Sequence, residues 1–157
     1  MRILGIDPGY ERLGIAIVEK TGNTKENLVF SECFKTSPTL PFNERLVLVG
    51  NKIKEIINIY KPEVLSIETL FLNTNQKTAM KVAEARGVVV YESGLAGLKV
   101  FEATPLQIKI ATTGYGRAEK RDVIKMVKLL ITLDKSKNSD DELDAIAIAL
   151  TAFAHLR

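Results

Sequence analysis

The chain has 157 residues, 46% of them hydrophobic and 26% charged, which is enough to bury one core and too little for two ordinary domains; we expect a single domain over residues 1–157. No apolar run reaches the roughly 18 residues of a membrane span, and Met1-Arg2 leads straight into a strand-like stretch without a signal-cleavage pattern, so a soluble, cytoplasmic protein is expected. The net charge of +3 permits a polyanionic partner without demonstrating one, and the single cysteine, Cys33, excludes an internal disulfide and reads as a buried structural thiol.

In chain order, RILGID, LGIAIVEK and NLVFSECFK read as three strands, separated by turn residues at Asp7-Pro8-Gly9 and Thr21-Gly22-Asn23. Short connections predict antiparallel pairing. Thr36 to Pro41 is a loop, after which Leu46, Val49, Ile53, Ile56, Ile57 and Tyr60 recur at helical spacing until Pro62 stops the pattern. The run EVLSIE is then a fourth strand, reached through a helix and therefore expected parallel to one already in the sheet. From Gln76 to about Tyr91 a helix carries a stripe of small residues, Ala79, Ala83 and Gly87, of the kind that admits another helix closely. LKVFEA is a fifth strand, and Thr104-Pro105 starts a helix. A glycine loop at Gly114 and Gly116, a helix from about Glu119 to Leu133, a polar turn and a last helix to about Phe153 complete the chain.

Four carboxylates stand out. Asp7 ends an apolar strand directly before a Pro-Gly turn, where an aspartate that only caps its own backbone is the plain alternative. Glu68 ends VLSIE, and an acid there is costly unless water, a cation or a metal reaches it. With the fourth strand parallel to the first, both acids emerge at one end of the sheet. Ser139 and Glu142 match a capping box that opens the last helix and places Asp140, Asp141 and Glu142 in its first turn, where the helix dipole alone would favour them. Asp144 lies three residues after Asp141 on the same face and interrupts an apolar stripe containing Ile148. Acids gathered at one point repel unless a divalent cation sits among them, and oxygen ligands without His or Cys select Mg²⁺, with Mn²⁺ as substitute. Two such ions, roughly 3.5–4 Å apart, serve phosphodiester hydrolysis. The lone histidine, His155, reads as a solvated or packing residue.

Three antiparallel strands, a crossover helix and strand, and acids on a C-terminal helix describe an α/β, ribonuclease H-like fold with a five-stranded mixed sheet flanked by helices. Within that fold, GIDPG (Gly5 to Gly9), IETLF (Ile67 to Phe71), ARGV (Ala85 to Val88), GRAEK (Gly116 to Lys120) and DELDAIAIAL (Asp141 to Leu150) together resemble the RuvC family of Holliday junction resolvases, over nearly the whole chain. The resemblance implies an endonuclease that cuts two opposed strands of a four-way DNA junction symmetrically, leaving 5′-phosphate and 3′-hydroxyl ends. It carries the catalytic and metal-binding roles onto Asp7, Glu68, Asp141 and Asp144, with two ions per active site.

The resemblance also implies DNA contacts by Phe71, which would stack on bases at the opened junction, and by Asn75, Lys109, Arg117, Lys120 and Arg121, with Lys125 and Lys128 farther out. It implies a homodimer formed through the helix carrying Ala79, Ala83 and Gly87, and a branch-migration motor complex as partner. Tyr10 stands where many relatives have serine, Ala83 where they have glycine, and Thr69 replaces a more polar neighbour of the glutamate. None of these departures removes a catalytic acid. An actin-like ATPase would need a second phosphate loop and domain for which the chain has no room; an RNA-processing nuclease of the YqgF type, or a non-catalytic junction-binding module, are the nearer alternatives.

Overall fold

A computed structural model describes residues 1–22, 24–70, 76–133 and 138–156 of the chain. Strands β1 (Arg2–Asp7), β2 (Arg12–Glu19) and β3 (Asn27–Lys35) are followed by helix α1 (Phe42–Tyr60), strand β4 (Val64–Glu68), helix α2 (Gln76–Leu95) and strand β5 (Lys99–Ala103). Helices α3 (Pro105–Thr113), α4 (Lys120–Leu130) and α5 (Asp140–His155) close the chain. The strands form one sheet in the order β3-β2-β1-β4-β5. β1, β2 and β3 pair antiparallel, while β4 runs parallel to β1 and β5 parallel to β4, the mixed arrangement expected when helices carry the later crossovers.

Both faces of the sheet are covered at its centre, so β1, β2 and β4 are apolar along their interiors and their two-residue period shows only in what each residue packs against. Leu4, Ile6, Leu13, Ile15, Ile17, Leu65 and Ile67 pack with Val49, Ile53 and Ile56 of α1 and Val89 of α2. Ile3, Ala16, Val18, Val64 and Ala103 pack on the other face with Ile108 of α3, Val123 and Val127 of α4, and Ala145, Ile146 and Ala149 of α5. Counting by twos from Ile3 and from Val64 puts Asp7 and Glu68 on the α5 face.

Two glycines let α5 lie directly on that face. A Cβ at Gly5 would stand 2.2 Å from the Ala145 carbonyl oxygen, and one at Gly14 would stand 2.1 Å from that of Asp141 and 3.0 Å from the Asp7 Cβ. Ser66, fully buried on β4 beside Gly5, donates its hydroxyl to the Ile148 carbonyl at 2.7 Å. The helix starts are also encoded locally. Thr104 and Gln107 form a capping box with Pro105 in the first turn of α3, and Ser139 and Glu142 form one at α5. Gly114, at φ 74°, ends α3 in the left-handed conformation.

Candidate active site

Ile6 pairs with Ile67, so the next residues, Asp7 and Glu68, leave neighbouring parallel strands side by side. The first turns of α5 cross above them. The result is a cleft of about 310 Å³ lined by Asp7, Glu68, Asp144, Lys109, Lys120, Pro105, Ile108, Val123 and Ile148. Five elements, β1, β4, α3, α4 and α5, thus supply a wall of three acids, two lysines and an apolar floor.

The electrostatics of this wall are those of crowded anions. Burial, followed by the charges of Asp144, Glu68 and Asp141, raises the Asp7 carboxyl from 3.8 to about 7. Burial and then the charge of Asp144 raise Glu68. Asp144 is raised by burial as well, although the Lys120 ammonium donates to its Oδ2 at 2.6 Å and opposes the shift. Desolvation works against the charge of Lys120, and the hydrogen bond and charge of Asp144 more than restore it.

Asp141 lies beside the cleft wall and is held from the other side. Arg12, at the start of β2, forms an ion pair with Asp141 Oδ2, its Nε donating at 3.0 Å, and the Cys33 thiol lies 3.5 Å from the same oxygen. This corrects the expectation of a buried structural thiol: Cys33 is only partly buried, because β3 is the edge strand and the Cys33 side chain meets the α5 N-terminus at Asp141. Burial, then the neighbouring Asp141 charge, push that thiol up, so it stays protonated. Among the described residues, no three acidic, histidine or cysteine side chains close on one point as ligands of an ion; Arg12 and Lys120 each take an oxygen of one acid.

Of the other residues singled out in the sequence, Lys109 and Lys120 line the cleft. Arg117 is exposed in the loop before α4, and Arg121 is exposed on α4 with its Nε 3.0 Å from Glu119 Oε2. Phe71 and Asn75 lie outside the described residues. His155 packs against the Phe101 ring, centroids 5.4 Å apart, far from the acids in the fold. Glu142, next to Asp141, is a structural acid: it is buried and accepts from Ser31 Oγ at 2.7 Å and Asn138 Nδ2 at 3.1 Å. Arg12 and Arg86 were not singled out by sequence reasoning. Arg86 sits inside the ARGV motif, and that was its one signal.

The family model described as "Crossover junction endodeoxyribonuclease RuvC" matches residues 3–152. The chain belongs to the RuvC family. The RuvC proteins of Caldanaerobacter subterraneus and Pelotomaculum thermopropionicum are 42% and 43% identical to it, over 96% and 99% of this chain and 90% and 94% of theirs. A structure of T. thermophilus RuvC in complex with Holliday junction substrate superimposes with a TM-score of 0.92 at 34% identity, covering 100% of this chain and 95% of that one. The yeast mitochondrial Holliday junction resolvase, 14% identical with a TM-score of 0.70 and 96% of this chain covered against 76% of its own, shares the fold. RuvC membership and the ribonuclease H-like, five-stranded sheet expected from the sequence therefore agree.

Proposed function

We propose that this chain is a crossover junction endodeoxyribonuclease that resolves four-way DNA junctions in recombination and repair by paired, symmetric nicks. The observation that carries the reading is the convergence of Asp7, Glu68 and Asp144, from three distant segments, on one cleft that also holds Lys109 and Lys120, in a chain of the RuvC family.

The cleft's chemistry fits divalent cations. Its donors are carboxylate oxygens, and Asp7 is raised first by burial and then by the charges of Asp144, Glu68 and Asp141, which Lys120 only partly offsets. Asp7, Glu68, Asp141 and Asp144 would hold two Mg²⁺ ions, with Mn²⁺ substituting. Bound there, the metal supplies activation of the attacking water and stabilisation of the leaving oxygen in an in-line displacement.

The chain's own groups do the rest. Asp7 must lose its proton to serve as a ligand, and its nearness to neutrality makes that loss inexpensive at cellular pH. Lys120, paired with Asp144 at 2.6 Å, becomes free to meet a phosphate once that acid is otherwise engaged, and Lys109 stands on the same wall. Asp141 in turn must share or leave Arg12. The apolar floor of Ile108, Val123 and Ile148 limits water around the reacting phosphate.

Beyond the cleft, Arg117 and Arg121 would contact backbone phosphates, and Phe71 and Asn75 the opened junction. Stacking of a base on Phe71 would contribute roughly 1–3 kcal/mol. Two chains would join through α2 so that their clefts address two opposed strands, and a branch-migration motor would deliver the junction. Among the described residues no helix is long and apolar enough to cross a membrane, and we place the protein in the cytoplasm.

The test compares three substrates with Mg²⁺: a synthetic four-way junction, a linear duplex of the same sequence and an RNA hairpin. Preferential cutting of the junction supports the reading. Cutting of the RNA with the junction left whole would replace it with an RNA-processing nuclease, and tight junction binding with no cutting would leave a binding module.

A further inference from the structure

The guanidinium of Arg86 reaches two places at once. From α2 its Nε donates to the Glu68 carbonyl oxygen at 3.1 Å, and its Nη2 donates to Glu102 Oε2 on β5 at 2.6 Å. The end of β4 is also tied to β5 from the other side, where the Thr69 N–H and hydroxyl both donate to the Ala103 carbonyl, at 3.0 and 3.4 Å. Glu68 is the last residue of its strand; its carbonyl is held by Arg86 of α2, and the residue after it is held by β5.

Arg86 acts from the far side of the sheet. Its neighbours on α2, Val88 and Val89, pack into the core shared with α1, whereas the Glu68 side chain lines the cleft under α5. The guanidinium therefore holds the peptide of Glu68 while leaving its carboxylate to the cleft. A planar fork with separate donors can span a carbonyl and a carboxylate together; an ammonium on a flexible stem makes a point contact with one or the other. The Arg86–Glu102 ion pair is partly exposed, with side chains 20% and 54% accessible, and pairs of that kind add little to stability. Its geometry matters more to where Glu68 sits than to whether the chain folds.

We infer that Arg86, oriented by Glu102, is a positioning residue for Glu68, fixing the depth at which that acid enters the cleft. The inference rests on the reading of Glu68 as a metal-holding catalytic acid. Groups that orient a metal's ligands are worth roughly 10–100-fold in affinity or rate, because small displacements at a reacting centre are costly.

The experiment uses the full chain with Arg86→Lys and Glu102→Gln. It measures single-turnover cleavage of a saturating four-way junction in Mg²⁺, Mn²⁺ binding by calorimetry without DNA, junction affinity in EDTA, and melting temperature. Arg86→Lys should lower the cleavage rate and weaken Mn²⁺ binding, each by roughly 10-fold or more, with junction affinity and melting temperature unchanged; Glu102→Gln should give a smaller loss of the same pattern. Wild-type rates and Mn²⁺ affinity in both variants would overturn the inference, as would a parallel fall in rate, junction affinity and melting temperature. If Arg86→Lys does not fold, Glu102→Gln decides by the same criteria. A wild-type protein that leaves the junction whole overturns the functional reading instead, and the Mn²⁺ titration then decides the role of Arg86 by itself.

Discussion

Lys120 Nζ stands 2.6 Å from Asp144 Oδ2, so a cation from the start of α4 rests on the acid that α5 aims into the cleft. Lys120 is thereby kept charged and in place before any phosphate arrives. Replacing it with methionine removes the positive charge while preserving the length of the stem. We expect Lys120→Met to lower single-turnover cleavage of a junction by roughly 100-fold, the scale for losing one fixed electrostatic contact to a transition state, with a much smaller effect on junction affinity measured by gel shift.

Asp7 is the most perturbed acid of the cleft and is flanked by the charges of three others. Asp7→Asn removes a ligand and one negative charge that repels phosphate. Cleavage should fall to background while junction binding is retained or tightened, which a binding titration run beside the cleavage assay will show. Retained cutting would remove Asp7 from the catalytic set.

The same shift predicts a pH dependence in the metal-free protein. Asp7 holds its proton to about 7 when folded, against 3.8 as the ordinary value, so the folded chain binds more protons than the unfolded one between those limits. That stabilisation is complete below about pH 4 and is lost as the pH rises to about 7; Glu68 and Asp144, also raised, act in the same direction. In EDTA, Asp7→Asn should melt several degrees above the wild type near pH 8, and the gap should close toward about pH 4. A gap independent of pH would contradict the assignment.

Gly14 is where β2 meets the backbone of α5. The methyl group of alanine would stand 2.1 Å from the Asp141 carbonyl oxygen and 3.0 Å from the Asp7 Cβ, and neither neighbour is the free end of a flexible chain. Gly14→Ala should push the N-terminus of α5 off the sheet, lowering stability by about 1–3 kcal/mol and separating Asp141 and Asp144 from Asp7. Thermal denaturation and the cleavage assay should report both losses together.

Much of this was legible in the sequence because the signals were local or periodic. Helical spacing up to Pro62, the Thr104-Pro105 helix start, the Ser139 capping box, and a strand reached through a helix led to a mixed sheet with Asp7 and Glu68 at one end of it. The face was harder to read. Because both sides of the sheet are buried, RILGID and VLSIE show no alternation, and the two-residue parity that turns Asp7 and Glu68 toward α5 appears only with the packing.

What sequence reasoning missed are contacts between residues far apart in the chain. Arg12 and Asp141 are 129 positions apart, as are Cys33 and Asp141 by 108, and nothing in their local spelling announces the meeting. Cys33 looked buried because it lies in the largely apolar run VFSECF, yet on an edge strand its side chain is only partly covered. Glu142 and Asp141 are neighbours with the same local pattern, and only the tertiary partners Ser31 and Arg12 separate the buried structural acid from the one beside the cleft.

The central claim, that these acids form a metal-dependent junction-cutting centre, is tested most directly by mapping the cleavage of a labelled four-way junction while Mg²⁺ is titrated from EDTA. The account predicts no cutting without the metal and, with it, nicks at symmetric positions on two opposed strands that are lost in Asp7→Asn, Glu68→Gln and Asp144→Asn. Undiminished cutting in EDTA, or in any of those variants, would contradict it.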